Sequence, residues 1–175
     1  MKQLILGGAR SGKSALAERL AKESEGKVVY IATSALIDDD PEMLERIARH
    51  RDRRPKAWAL IEEPFYLADA IQINQSPDNC IIVDCLTLWL SNLLLQDEGK
   101  YFEQQKAALI SLLHEFQGNL ILVGNEVGMG IVPMGELSRL FQDESGRLHQ
   151  QLAAVCDRVI LTVAGLPLVM KGKTF

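Results

Sequence analysis

The segment Leu4–Ser14, LILGGARSGKS, constrains the fold of this chain more than any other stretch. Its residues Gly7-Gly8-Ala9-Arg10-Ser11-Gly12-Lys13-Ser14 fit G-x-x-x-x-G-K-[ST], the phosphate-binding P-loop. Such a loop works only between a strand and a helix. Lys2–Leu6 reads as a buried strand, and Ser14–Lys22 reads as a helix whose N-terminus faces the anion. Gly7 and Gly12 permit backbone angles that a Cβ would forbid, so consecutive N–H groups can turn inward around phosphate oxygens. Lys13 can reach the β- and γ-phosphates, and the Ser14 hydroxyl can ligate Mg²⁺. With a strand before it and a helix after it, a Gly-rich βα turn that matches by chance is the lesser reading. The segment therefore reads as a nucleotide site.

The rest of the chain supplies the sheet that such a loop needs. Lys27–Thr33, Asn79–Asp84, Asn119–Gly124 and Arg158–Val163 are short, nearly continuous apolar runs, as expected for strands covered on both faces. Ala57–Glu62 is a weaker strand candidate, and Leu168–Met170 a short last one. Asp40-Pro41 opens a helix running to about Arg53. Pro64 opens another to about Ile73, Tyr101–Phe116 has helical apolar spacing, and Leu137–Val155 is a long amphipathic helix with a candidate break near Gly146. Strands alternating with helices indicate an α/β fold with a mainly parallel sheet. In such sheets ligands sit beyond the carboxyl ends of the strands, so the loops to inspect follow Leu6, Ile31, Val83 and Val123.

Composition narrows the partners. At 175 residues the chain is expected to form one domain, residues 1–175. A net charge of −4 gives no general electrostatic reason to bind nucleic acid or an anionic membrane. The three cysteines, Cys80, Cys85 and Cys156, show no metal-ligand spacing and read as reduced, buried thiols of a cytoplasmic protein. The apolar run before Gly7 is too short for a signal peptide, and Leu86–Leu95 is far too short to span a membrane.

Three further stretches bear on the nucleotide. Cys80-Ile81-Ile82-Val83-Asp84 ends an apolar strand in a carboxylate, the Walker B pattern, and Asp84 can hold Mg²⁺ while the P-loop holds the phosphates. Ala32-Thr33-Ser34 ends another strand in small hydroxylated residues, suited either to a phosphate or ribose or to a plain turn. The loop Asn125-Glu126-Val127-Gly128-Met129-Gly130 suits close backbone approach to a ligand or an ordinary lid, and Glu126 could orient a hydroxyl or a metal-bound water.

On the helix after Asp40, Arg46, Arg49, His50 and Arg53 stand at i, i+3, i+4 and i+7 and share one face. Three guanidiniums around an imidazole suit a polyphosphate. An imidazole there can attack phosphorus to form a phosphoramidate, with the cations stabilising the developing charge. The same face can equally be a solvated one, paired with Glu42, Glu45 and Asp52. His114 and His149 have no partner in sequence and read as structural. Arg139 and Arg147 lie about two turns apart and suit either a phosphate cleft or pairing with Asp143 or Glu144.

Together GGARSGKS, YIATS, the RI-x-x-H-R helix ending in RRP, the strand end at Asp84 and NEVGMGIVP resemble the adenosylcobinamide kinase/adenosylcobinamide-phosphate guanylyltransferase family, from Leu4 to about Lys171. The resemblance implies a RecA-like P-loop fold. It implies that ATP or GTP phosphorylates adenosylcobinamide, and that GMP from GTP is then transferred to adenosylcobinamide phosphate. By the same resemblance His50 is the guanylylated histidine, with Lys13 as the other catalytic residue. The nucleotide-contacting positions are Gly7–Ser14, then Thr33, Ser34 and Ala35, then His50, Arg51, Asp52 and Arg53, and finally Glu62 and Asp84. Ser14 and Asp84 hold Mg²⁺, and the assembly is a homotrimer. Arg49 stands where relatives can carry a second histidine, which leaves His50 as the one candidate. Glu62 and Glu63 both offer a carboxylate to guanine, and spacing after Trp58 selects Glu62.

Overall fold

The computed structural model describes residues 1–24, 26–34 and 55–174. The central apolar runs become strands: β1 (Lys2–Gly7), β2 (Lys27–Ala32), β3 (Ala59–Glu62), β4 (Asn79–Asp84), β5 (Asn119–Asn125), β6 (Arg158–Val163) and β7 (Leu166–Lys171). They form one seven-stranded sheet in the order β3-β2-β4-β5-β1-β6-β7. All neighbouring pairs are parallel except β6 with β7. β1 is therefore interior, bonded to β5 on one side and β6 on the other. The two edges explain the weaker sequence signals. β3 is mostly exposed, and on β7 Leu166, Leu168 and Met170 face solvent while the residues between them are half-buried.

Strand alternation sorts the core into two layers. Ile5, Val28, Tyr30, Ile82, Ile121, Val123 and Ile160 turn to one face, where α1 (Lys13–Lys22) covers them with Leu16, Ala17, Leu20 and Ala21. Leu4, Leu6, Ile31, Ile81, Val83, Leu120 and Leu122 turn to the other. Four helices close that face: α2 (Leu67–Asn74), α3 (Leu86–Leu95), α4 (Phe102–Glu115) and α5 (Glu136–Val155). α3 carries Leu86, Trp89, Leu90 and Leu93 into this core, and Trp89 Nε1 donates to the Phe65 carbonyl at 2.8 Å.

Helix boundaries differ from the sequence reading in two places. Pro64 does not open α2. Glu63 Oε1 accepts the N–H groups of Phe65 (2.9 Å) and Tyr66 (2.8 Å), and the helix starts at Leu67. α5 runs unbroken through Gly146, because burial of Leu148 and Leu152 outweighs the ~1 kcal/mol that an interior glycine costs. Among the described residues no helix is long and apolar enough to cross a membrane. All three cysteines are free and buried. Burial pushes the Cys85 thiol up to about 11 and the Cys156 thiol up to about 12.

Candidate nucleotide site

The loop between β1 and α1 is closed by its own backbone. Arg10 (φ 58°) and Gly12 (φ 96°) are both left-handed. Interleaved with right-handed neighbours, such residues turn successive N–H groups to one side and make an anion-binding concavity. Ser11 N donates to the Gly8 carbonyl at 3.2 Å, and Lys13 Nζ donates to the same carbonyl at 3.1 Å. Gly8, Ala9 and Arg10 are exposed, while Gly12, Lys13 and Ser14 are half-buried.

Two elements brace the loop. Gly165 N, in the β6–β7 turn, donates to the Ser11 carbonyl at 2.8 Å, and Glu126 N donates to the Gly7 carbonyl at 3.0 Å. Space is tight on both glycines. A Cβ on Gly7 would meet Ser11 Oγ and would lie 2.5 Å from the Thr162 carbonyl oxygen; one on Gly12 would lie 3.1 Å from Gly165 Cα.

Asp84 ends β4 at the same carboxyl edge. It continues the Cys80, Ile82 row, so its carboxylate turns to the α1 face that carries the P-loop. Tyr30 OH donates to Asp84 Oδ2 at 2.8 Å and fixes the carboxylate's orientation. A carboxylate held on that face, with the Ser14 hydroxyl at the start of α1, is the donor set that a phosphate-bound Mg²⁺ takes.

The neighbouring strand end is knitted by polar contacts. Thr33 is fully buried; its hydroxyl donates to the Cys85 carbonyl (2.6 Å) and accepts from Cys85 N (2.9 Å). Asn92 Nδ2 donates to the carbonyls of Thr33 (2.7 Å) and Pro64 (3.1 Å). The Thr33 side chain thus ties the end of β2 to the residue after β4, with half-buried Ser34 next to it. Glu62 ends β3 and is exposed, and Glu63 accepts the amides at the start of α2. Ala35, Arg46, Arg49, His50, Arg51, Asp52 and Arg53 lie outside the described residues.

The remaining sequence candidates lie on α4 and α5. His114 is exposed near the end of α4. Arg147 pairs with Glu144, and Arg139 donates to the carbonyls of Pro133 (3.4 Å) and Met134. His149 is buried in α5, and its Nε2 would lie 3.1 Å from a Cβ on Gly124, under the carboxyl end of β5. Burial lowers its pKa, partly opposed by the Glu126 carboxylate. Sequence reasoning did not single out Gly165 or Tyr30, since both reach the site through strand order rather than through a local pattern.

The fold and the loop define a P-loop nucleotide-binding protein of the mainly parallel α/β class. Solved structures similar to it include a protein of Pyrococcus horikoshii OT3 (10% identity, 99% of this chain and 87% of that one, TM-score 0.56). The RadB recombinase is also similar (16% identity, 91% and 72%, TM-score 0.50). At these identities the likeness concerns the fold. Residues 3–170 match the model of the family described as cobinamide kinase / cobinamide phosphate guanyltransferase. The chain is 54% identical to the bifunctional adenosylcobalamin biosynthesis protein CobP of Pseudomonas aeruginosa over 99% of each chain. It is 40% identical to the bifunctional adenosylcobalamin biosynthesis protein CobU of Escherichia coli K12, over 96% of this chain and 98% of that one. The chain belongs to the cobinamide kinase / cobinamide phosphate guanyltransferase family, whose members are bifunctional transferases of cobalamin biosynthesis.

Proposed function

We propose that this protein phosphorylates adenosylcobinamide with ATP or GTP and then guanylylates adenosylcobinamide phosphate through His50. The observation that carries this reading is the closed P-loop in a chain whose family match runs from residue 3 to 170. In the first step the substrate hydroxyl oxygen attacks the γ-phosphorus and gives up its proton to water, the γ-phosphorus–oxygen bond breaks, and the nucleoside diphosphate leaves with its charge held by the loop. Lys13, which bridges to the Gly8 carbonyl, exchanges that contact for the phosphates. Mg²⁺, held by Ser14 and Asp84, would neutralise charge between the β- and γ-phosphates. In the second step an imidazole nitrogen of His50 attacks the α-phosphorus of GTP, pyrophosphate leaves, and a phosphate oxygen of the substrate displaces the imidazole.

Arg51, Asp52 and Arg53 beside His50, and Ser34 and Ala35 after β2, complete the nucleotide contacts, while Thr33, fully buried and bonded to Cys85, holds that strand end in place. Glu62, exposed at the end of β3, reads guanine. The chain works as one domain in a cytoplasmic homotrimer and takes no nucleic acid. The test is incubation with α-labelled GTP and Mg²⁺. One acid-labile GMP per chain, absent in His50→Ala, is expected. Labelling of His50→Ala at the wild-type level overturns the covalent route.

A further inference from the structure

The loop between β5 and α5 turns polar atoms inward and apolar side chains outward. At its start Glu126 N donates to the Gly7 carbonyl at 3.0 Å, and the Glu126 carboxylate accepts from Gly128 N. Gln142 Nε2 of α5 donates to the Val127 carbonyl at 3.0 Å, and Arg139 donates to the carbonyls of Pro133 and Met134. The loop is thus fixed at both ends. What it holds out is apolar: Ile131 is 98% exposed and Met134 96%, with Met129 and Val132 exposed beside them. Leu137 and Leu140 carry the same surface onto the first turns of α5. There a cavity of about 180 Å³ opens against α3, lined by Ser91, Leu94, Leu95, Leu137, Ser138 and Phe141.

A contiguous apolar surface held in water by polar bonds behind it marks a place where something binds. Its position and charge say what. β5 stands between the P-loop strand and the Asp84 strand, so the loop rises from the middle of the nucleotide edge, bonded to the first residue of the phosphate loop. A molecule lying on it has one side next to the triphosphate. Between Asn125 and Phe141 the charged residues are Glu126, Glu136 and Arg139, and the Arg139 guanidinium is turned onto the loop's own carbonyls. An apolar surface edged by carboxylates repels a polyanionic nucleotide and suits a broad, apolar, cationic molecule. A cobalt(III) corrinoid is one: its macrocycle has apolar faces, a rim of methyl groups and neutral amides, and a net positive charge. The cavity between α3 and α5 is too small for the macrocycle and fits one group of that rim, with the Ser91 and Ser138 hydroxyls for an amide.

We infer that residues 129–134 and the first turns of α5 seat the corrin ring of adenosylcobinamide. The ring lies on Ile131 and Met134, and its hydroxyl-bearing arm reaches back past Glu126 to the nucleotide. This inference rests on the proposed function for the identity of the substrate and adds where that substrate is held. The seat touches the ring and not the end of the arm, so it serves adenosylcobinamide and adenosylcobinamide phosphate alike.

The experiment compares the wild type with Ile131→Ser/Met134→Ser, with Ile131→Leu/Met134→Leu, and with Ile73→Ser. Ile73 is 82% exposed at the end of α2 and serves as the control for an exposed apolar residue elsewhere. Adenosylcobinamide and ATP affinities are measured separately by titration calorimetry, and oligomeric state by sedimentation. Two side chains that no longer leave water on binding predict a loss of adenosylcobinamide affinity of about tenfold or more in the serine variant, with ATP affinity within about twofold of wild type. The leucine variant keeps the apolar surface and should recover most of the loss. Ile73→Ser should bind like the wild type. A serine variant that binds adenosylcobinamide as tightly as the wild type overturns the inference, and so does equal loss of corrinoid and ATP. A serine variant that dissociates into smaller species overturns it too, since the loop is then a contact between copies of the chain. Phosphorylation is assayed in parallel. A wild type that binds adenosylcobinamide through this loop yet leaves it unphosphorylated refutes the proposed kinase activity and retains the seat; a wild type that does not bind adenosylcobinamide overturns both.

Discussion

Replacing Gly7 by alanine tests how the phosphate loop is seated. The added Cβ would meet Ser11 Oγ and come within 2.5 Å of the Thr162 carbonyl oxygen. The Ser11 hydroxyl can swing aside. The carbonyl cannot, because it belongs to β6, which is paired to β1 from Gln3↔Arg158 through Gly7↔Thr162. Ordinary contact begins at 3.4 Å, so β1 and β6 must part by nearly 1 Å at the end of the sheet. Overpacking of that kind costs about 1–3 kcal/mol. With a urea m-value of about 2 kcal/mol/M, the unfolding midpoint should fall by about 1 M. Moving Ser11 also disturbs the N–H groups that cradle phosphate, so triphosphate affinity should fall more than tenfold. Gly8→Ala is the control: nothing lies within 4 Å of its Cβ, and its urea midpoint should stay at the wild-type value. A Gly7→Ala protein that unfolds at the wild-type midpoint would refute the seating described above.

Two further predictions concern the layer opposite α1. Glu144 accepts from Lys106 Nζ at 3.1 Å and from Arg147, with Lys106 also bonded to Glu103 at 2.8 Å. Burial disfavours the Glu144 charge, but these bonds outweigh it and hold the carboxyl below its ordinary 4.5. Its contribution is therefore present above pH 4.5 and is lost as pH falls through the depressed folded value. Glu144→Gln should cost about 2–3 kcal/mol at pH 7, because it leaves a buried ammonium short of one partner. The gap in urea midpoint from wild type should narrow below pH 4.5, and a gap constant down to pH 3 would contradict the ion-pair account. For His149 burial lowers the pKa below 6.5, so the unfolded chain takes up a proton that the folded one refuses. Stability should fall as pH drops below 6.5 toward the depressed value, and His149→Gln should flatten that slope in urea titrations at pH 7.5, 6.5 and 5.5.

The sheet was legible where strands are buried on both faces. Asn79–Asp84 and Arg158–Val163 match their strands residue for residue, because a run such as Cys-Ile-Ile-Val has no polar face to place in water. The edges were harder. β3 exposes Ala59 and Leu60, and β7 exposes alternate residues, so neither carries the pattern of an interior strand. α3 was not recognised as a helix, since Leu86–Leu95 is apolar on nearly every side and shows no amphipathic period. At the site, the P-loop and Asp84 could be read because each is a local pattern. Tyr30, Thr162 and Gly165 could not, because their relevance depends on which strands flank β1. That order is a long-range choice: β5 and β6 reach β1 from more than a hundred residues away.

Strand order also bears on how one nucleotide holder could serve two bond cleavages in the proposed reaction. A P-loop grips the middle of a triphosphate, which leaves the γ-phosphate on one side and the α-phosphate on the other. On the described side, β4 and β5 bring Asp84 and Asn125 to the carboxyl edge of the sheet, on the face that carries the loop. The other side needs a nucleophile that reaches the α-phosphorus from beyond the strands that build the first. The chain leaves β2 beside Asp84, where Thr33 is bonded to Cys85, and re-enters the described structure at Pro55 before β3. His50 belongs to that connection. The same strand ends that assemble the γ-phosphate site therefore anchor the segment carrying the imidazole. A substitution that loosens the Thr33–Cys85 tie, such as Thr33→Val, should impair both half-reactions together rather than one alone.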